Sequence, residues 1–284
     1  MQTTAQFLDD TLLPQLAAFS GDVGVTFQAV DGSFSWHYHQ NQVLPVASTM
    51  KLFVLGALLE QVELGNCSID TQITCTAEDI IGGSGLLLDM QAGTSLSAYN
   101  MAVLMMLISD NTATNLLTDL VGGIQVVQAH MQRYGAVDSR INRKMSEDPA
   151  IMATGPFAEG TTAEYAAYLA AMHRGEVLNE NSVALFDTLM AQQHYKNFVP
   201  ALLPLVEDCP ECWEGVAHPV HAACKTGWML GIRCDAGYLV IEGKEYAYTV
   251  FSGNCADLRP TADNEGAKLL NACGLAFYQA VQQG

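Results

Sequence analysis

Hydrophobic and polar positions alternate in two different rhythms along this chain. Near the N-terminus, after a helix within Thr3–Phe19, the runs DVGVTFQAV (22–30) and SFSWHYHQ (33–40) alternate with the two-residue period of strands. Asp31-Gly32 between them is a hairpin signal. From about residue 51 to 195 the period lengthens to that of helices. LSAYNMAVLMMLIS (96–109) is one apolar helix, and TTAEYAAYLAAMHRG (161–175) opens on a capping threonine and closes on glycine. Strand alternation then returns in VHAACKTG (220–227), GIRCDAGYLVIEG (231–243) and EYAYTVFSG (245–253), with Gly243 at a turn, before an amphipathic helix over Ala262–Gln282. Strands at both ends of a helical middle predict an α/β fold. Residues 1–50 and 196–284 form an antiparallel sheet of about five strands flanked by helices. Residues 51–195 form an inserted all-helical domain, and the site lies where the two meet.

One segment does not fit a simple amphipathic pattern. In ASTMKLFVLGALLEQV (47–62), the residues after Lys51 are apolar on nearly every face, which predicts a buried helix with a lysine at its start. A buried ammonium is costly without a partner, and loss of solvent lowers its pKa. Ser48, three positions earlier, shares its face, so the two make a hydroxyl nucleophile and an amine base. Composition sharpens the point. The 284 residues carry only 12 Lys plus Arg against 30 Asp plus Glu, a formal charge of −18, so a cation in an apolar segment stands out. The same charge argues against nucleic acid as a partner, and no apolar run is long enough to span a membrane.

Two further triplets carry comparable chemistry. Ser109-Asp110-Asn111 follows the apolar helix, and Lys225-Thr226-Gly227 closes a strand. Each has a plainer explanation: Ser48, Ser109, Asp110 and Asn111 are good helix caps, Lys51 can extend its stem to solvent, and Lys225 can end an ordinary strand. What outweighs those explanations is the ordered set. S-x-x-K, S-D-N and K-T-G, on helix, loop and strand in turn, form the joint signature of class A β-lactamases and penicillin-binding proteins. The chain resembles that superfamily over nearly its whole length, including SDNTATNLL (109–117), GTTAEYAAYL (160–169) and KTGWMLGIRCDAG (225–237).

The resemblance implies a β-lactamase-like fold and a serine hydrolase that needs no metal or cofactor. Ser48 would be the acylated nucleophile and Lys51 its base. Ser109 would pass a proton to the leaving group, with Lys225 supplying positive potential. Asn111, Thr226, Gly227 and Arg233 would bind substrate, Arg233 by reaching across the hairpin toward Lys225 and a substrate carboxylate. The backbone N–H groups of Ser48 and Trp228 would form the oxyanion hole. The expected partner is a small acyl donor, a β-lactam or another carboxylate-bearing amide or ester.

The pattern breaks in one place. Class A β-lactamases carry a water-activating glutamate in an E-x-x-L-N context shortly after an arginine. If Arg143 is that arginine, Met145 occupies the glutamate position. Glu147 is the nearest candidate for the catalytic acid, beside Asp148, while Glu159 is expected to hold the loop by pairing with Arg143. Acylation looks fully equipped and hydrolysis does not, which brings in esterase, acyltransferase, D-amino-acid peptidase and turnover-free penicillin-binding as alternatives. Other features are secondary. His37 and His39 are expected as a surface pair on one strand face. Cys209, Cys212, His218 and His221 have a short Cys₂His₂ spacing that could hold zinc, with free thiols on a surface loop the default. The eight cysteines are expected to be mostly reduced. MQTTAQFLDD lacks a basic segment followed by an apolar core, which reads as cytoplasmic, or as periplasmic or extracellular if a signal has been removed.

Overall fold

The computed structural model describes residues 2–206 and 220–283. The chain opens with α1 (Thr4–Ala18), which a capping box between Thr3 and Gln6 initiates. The β1 strand (Asp22–Ala29) and β2 strand (Ser35–Tyr38) then form the expected hairpin. A short strand, β3 (Leu44–Pro45), leads into a 3-10 turn over Ala47–Met50 and directly into α2 (Lys51–Glu63). The middle, expected to be all helical, mixes four short strands with its helices: β4 (Gln72–Thr74), β5 (Ser95–Ser97), α3 (Ala98–Leu107), α4 (Asn111–Leu120), α5 (Ile124–Arg133), β6 (Arg140–Ile141), α6 (Pro149–Met152), β7 (Ala158–Gly160), α7 (Thr162–His173) and α8 (Glu180–Ala191). The chain ends in β8 (Val220–Met229), β9 (Ile232–Ile241), β10 (Lys244–Gly253) and α9 (Glu265–Gln283).

Strands from both ends of the chain build one antiparallel five-stranded sheet in the order β2-β1-β10-β9-β8. Alternation divides its side chains between two cores. On one face Leu8, Leu12 and Leu16 of α1 and Leu270, Cys273 and Phe277 of α9 pack against Phe27, Leu239 and Val250. The rings of Phe27 and Phe277 stack there with centroids 4.2 Å apart. On the other face Cys234, Ala236, Tyr238, Ala247 and Phe251 join the core built by the middle helices. The α7 helix lies on this face: Thr26 donates to Thr162, and Tyr238 donates to the carbonyl of Leu169. Residues 51–60 of α2 are all buried, which is why its sequence shows no polar stripe. Its one carboxylate in that stretch, Glu60, is held by Arg133, Tyr134 and His130.

Two expectations change at this level. Glu159 pairs with Arg140 rather than Arg143, because β6 and β7 place residues 140 and 159 directly opposite each other. Arg143 donates instead to the carbonyls of Lys144 and Gly155. His39 leaves the strand in the left-handed region (φ 45°) and stacks on Tyr38, so it does not share a strand face with His37. Cys209, Cys212 and His218 lie outside the described residues; His221 is exposed on β8. Six cysteines among the described residues are free thiols, and no helix among those residues is long and apolar enough to cross a membrane.

Candidate active site

The site forms where the start of α2, the start of α4 and the free edge of β8 converge. Ser48 sits in the 3-10 turn, whose i and i+3 side chains eclipse, so the turn stacks Ser48 and Lys51 on one side. Neither this turn nor α2 takes a side-chain cap, so Ser48 is not a helix cap. Ala47 just before it has φ 46°, an unusual conformation for a residue with a Cβ and one that concentrates at functional sites. Lys51 does not reach solvent at all. Its Nζ lies 2.6 Å from the Ser109 carbonyl oxygen, 2.9 Å from Ser109 Oγ and 2.9 Å from Asn111 Oδ1. As an ammonium it donates to all three. As a neutral amine, two hydrogens cover the carbonyl-type oxygens and the lone pair faces a hydroxyl. Burial, reinforced by the nearby charge of Lys225 and opposed by Asp110, holds the Lys51 pKa well below the ordinary 10.5.

Ser109 is buried and left-handed (φ 61°), and this turn is what directs its carbonyl at Lys51. Asp110 is the N-cap of α4, accepting from Ala113 N–H. The capping explanation thus holds for the middle residue of the triplet and fails for the outer two. The same carboxylate accepts the N–H groups of Leu86 and Leu87. Asn111 donates to the Gly82 carbonyl through Nδ2, and its backbone N–H donates to Ser84. The loop 82–87 is therefore stitched to the head of α4. Gly85 has φ 126°, and a Cβ there would lie 2.2 Å from Asp110 Oδ2, so no other residue fits.

The third wall is β8. A Cβ on Gly227 would lie 2.6 Å from the backbone nitrogen of Ser48 and 2.9 Å from Ala47 Cβ, so the glycine is what lets the strand touch the turn that carries Ser48. Val220 donates its N–H to Pro204 and accepts from Val206, both away from β9. Pairing with β9 continues unbroken from Val220↔Ile241 to Met229↔Ile232. Alternate residues therefore share that direction, and the N–H of Trp228 points off the free edge. The N–H of Ser48, near the start of its turn, has no partner within the turn. Two main-chain donors thus stand beside Gly227.

Lys225 is fully buried; its Nζ donates to the Thr226 carbonyl 2.8 Å away, and burial lowers its pKa to about 8 against the raising influence of Cys224 and Asp235. Asp235, opposite Thr226, is a fully buried acid that the sequence did not single out. Burial raises its pKa to about 7, although Val199 N–H and Tyr248 Oη donate to it. The signal available was an acid inside a strand that otherwise alternates into the core.

Arg233 differs from its expected placement. It pairs with Trp228, while Lys225 pairs with Ala236, so the two side chains leave opposite faces of the sheet. Its guanidinium donates to the carbonyls of Met229, Ile232 and Arg259, and its charge centre lies 5.5 Å from the centroid of the Trp228 ring. Arg233 does not reach toward Lys225. On the loop side, Met145 is buried, and its backbone is held at both ends by Asn115. Asn115 is one helical turn beyond Asn111. Glu147 accepts from Gly82 N–H at 3.1 Å, on the loop that holds Asn111.

A five-stranded sheet between helices, with these three motifs converging at one edge, has the fold of the β-lactamases and penicillin-binding proteins. Residues 5–281 match Beta-lactamase2, the Beta-lactamase enzyme family, and the chain belongs to that family. Among similar curated proteins, Beta-lactamase L2 of Stenotrophomonas maltophilia is 29% identical over 161 residues, 57% of this chain and 53% of that protein. Beta-lactamase PSE-4 of Pseudomonas aeruginosa is 26% identical over 126 residues, 44% of this chain and 43% of that one. The chain spans about half the length of the curated relatives it matches. A beta-lactamase structure from Sphaerobacter thermophilus superposes with TM-score 0.84 at 27% identity, covering 98% of this chain and 97% of the other. The structure of PBP-A gives TM-score 0.82 at 24% identity, over 98% and 96%.

Proposed function

We propose that this protein is a serine hydrolase that forms an acyl-Ser48 intermediate from a β-lactam or related carboxylate-bearing amide or ester. The observation that carries the reading is the buried Lys51 amine, fixed against Ser109 and Asn111 within the turn that Gly227 touches. Neutral Lys51 takes the Ser48 proton as Oγ attacks the carbonyl carbon. The resulting oxyanion lies between the N–H groups of Ser48 and Trp228, donors that act chiefly on charge developing in the transition state. The carbon–nitrogen or carbon–oxygen bond then breaks, and the proton passes from Lys51 through Ser109 Oγ to the leaving atom. Lys225, cationic below about pH 8, favours that transfer. Asn111, Thr226 and Gly227 hold the substrate.

Water then cleaves the ester to release the acid and restore Ser48. A base for this step is worth about 10²–10⁴ in rate. Met145 stands where the class A β-lactamase pattern has glutamate, and Glu147 accepts from Gly82 N–H. We infer that hydrolysis is the slow step, so a penicillin labels the protein and leaves slowly. This favours a penicillin-binding or peptidase-like reading over a fast β-lactamase. Turnover of a chromogenic cephalosporin, followed by intact mass, tests both stages. An accumulating adduct on Ser48 supports the reading. No adduct and no turnover defeats the hydrolase assignment, and rapid turnover without an adduct defeats the slow-hydrolysis part.

A further inference from the structure

Trp228 donates its backbone N–H to the site, yet its side chain is 56% exposed. Large aromatic surface left open next to a reacting centre invites a ligand. The ring is also held in place. Arg233, only 4% exposed and tied to three carbonyls, lies under it at 5.5 Å. Gly266 crowds the arginine stem, with a Cβ there falling 3.1 Å from Arg233 Cγ. The indole is thus braced from behind by a cation that cannot easily move, and its outer surface faces water. The β8–β9 hairpin tip extends this surface: Leu230 is 69% exposed, and Leu258, which a Cβ on Gly231 would touch at 3.3 Å, is 55% exposed.

The position fixes what the ring can meet. The Trp228 N–H points off the free edge of β8 while its ring leaves the sheet on the Arg233 face, opposite Lys225, so the ring meets the part of an acyl donor that extends past the edge onto that face. We propose that Trp228 is a specificity-determining residue, its ring a braced platform that receives an aromatic or other flat apolar group carried next to the substrate's reacting carbonyl. This rests on the acyl-Ser48 reading above. Arg233 is the positioning residue of the platform, holding the ring by stacking.

The test compares two penicillins that differ only in carrying a phenylacetyl or an acetyl side chain. Second-order acylation rate constants are read by intact mass for wild type, Trp228→Phe and Trp228→Ala. All three keep the main-chain N–H, so the readout is the ratio of the two rate constants rather than the activity itself. The wild-type protein is expected to prefer the phenylacetyl compound. The ratio should fall about tenfold in Trp228→Ala and stay within about twofold in Trp228→Phe, as expected for loss and retention of a ring–ring contact. An unchanged ratio in Trp228→Ala, with acylation intact, overturns the platform and leaves the hydrolase reading standing. Failure of both penicillins to acylate wild type overturns both.

Discussion

The two sides of the site are built to different standards. On the acylation side Lys51, Ser109 and Lys225 are buried and Asn111 is partly buried, and the polar groups of Lys51, Asn111 and Lys225 are held by short hydrogen bonds. On the loop side Glu147 and Asp148 are exposed, and the buried position, 145, is occupied by methionine. Burial tunes an amine only where the surrounding packing excludes water, and that packing exists on one side alone. On the acyl-Ser48 reading proposed above, a site organised in this way favours forming the acyl-enzyme over dissolving it.

The sharpest way to break the comparison is Lys51→Met, which keeps the apolar packing and removes the amine. Acylation of Ser48 should fall about 10³-fold with the fold retained, measured by adduct formation rate and circular dichroism. A small loss would mean that another group takes the proton. Gly227→Ala comes next. Its Cβ would press on the Ser48 nitrogen and the Val46 carbonyl, 2.6 and 3.1 Å away, and displace one oxyanion donor. A loss of about 10²-fold in acylation rate is expected.

The loop side is tested by gain rather than loss. Asn115 holds Met145 one turn beyond Asn111, so Met145→Glu brings a carboxylate to that bank. Deacylation, followed as decay of the adduct, should speed up by about 10–10². No change would mean that the missing base is not what limits release.

The pH profile of acylation follows from Lys225. Its proton is lost as pH rises through about 8, taking the positive potential with it, so the rate should fall about tenfold per pH unit above that point. The smallest effect lies outside the site. His173 donates toward Asp187 and Glu245, and the hydrogen bond to Asp187, reinforced by Glu245, raises its pKa from 6.5 to about 9. A raised folded-state pKa contributes stability that is complete below pH 6.5 and disappears as pH rises through about 9. With the partners part-exposed, His173→Gln should cost about 1 kcal/mol at pH 6 and little at pH 10, by urea unfolding at both.

Local signals and long-range partners differ in how far the sequence records them. The β1–β2 hairpin, the three C-terminal strands and α2 were legible because each has a strong local period or turn signal. The segments that meet at the candidate site were legible because three short motifs occur in order. Partners were not. Glu159 meets Arg140 because of a two-residue register, Asp110 anchors a loop 24 positions earlier, and Arg233 points away from Lys225 through strand parity. None of these choices leaves a trace in spacing along the chain.

Sequence alone determined which groups this protein has available: a serine, two lysines, a second serine and an asparagine in segments of known period. Tertiary structure decided their condition. It made Lys51 a dehydrated amine, brought Gly227 against the Ser48 nitrogen, turned Trp228 outward over a braced arginine and left the loop acids in water. The physical reason is that solvent exclusion, charge proximity and donor direction belong to the packed assembly of distant segments, whereas a sequence records only neighbours along the chain.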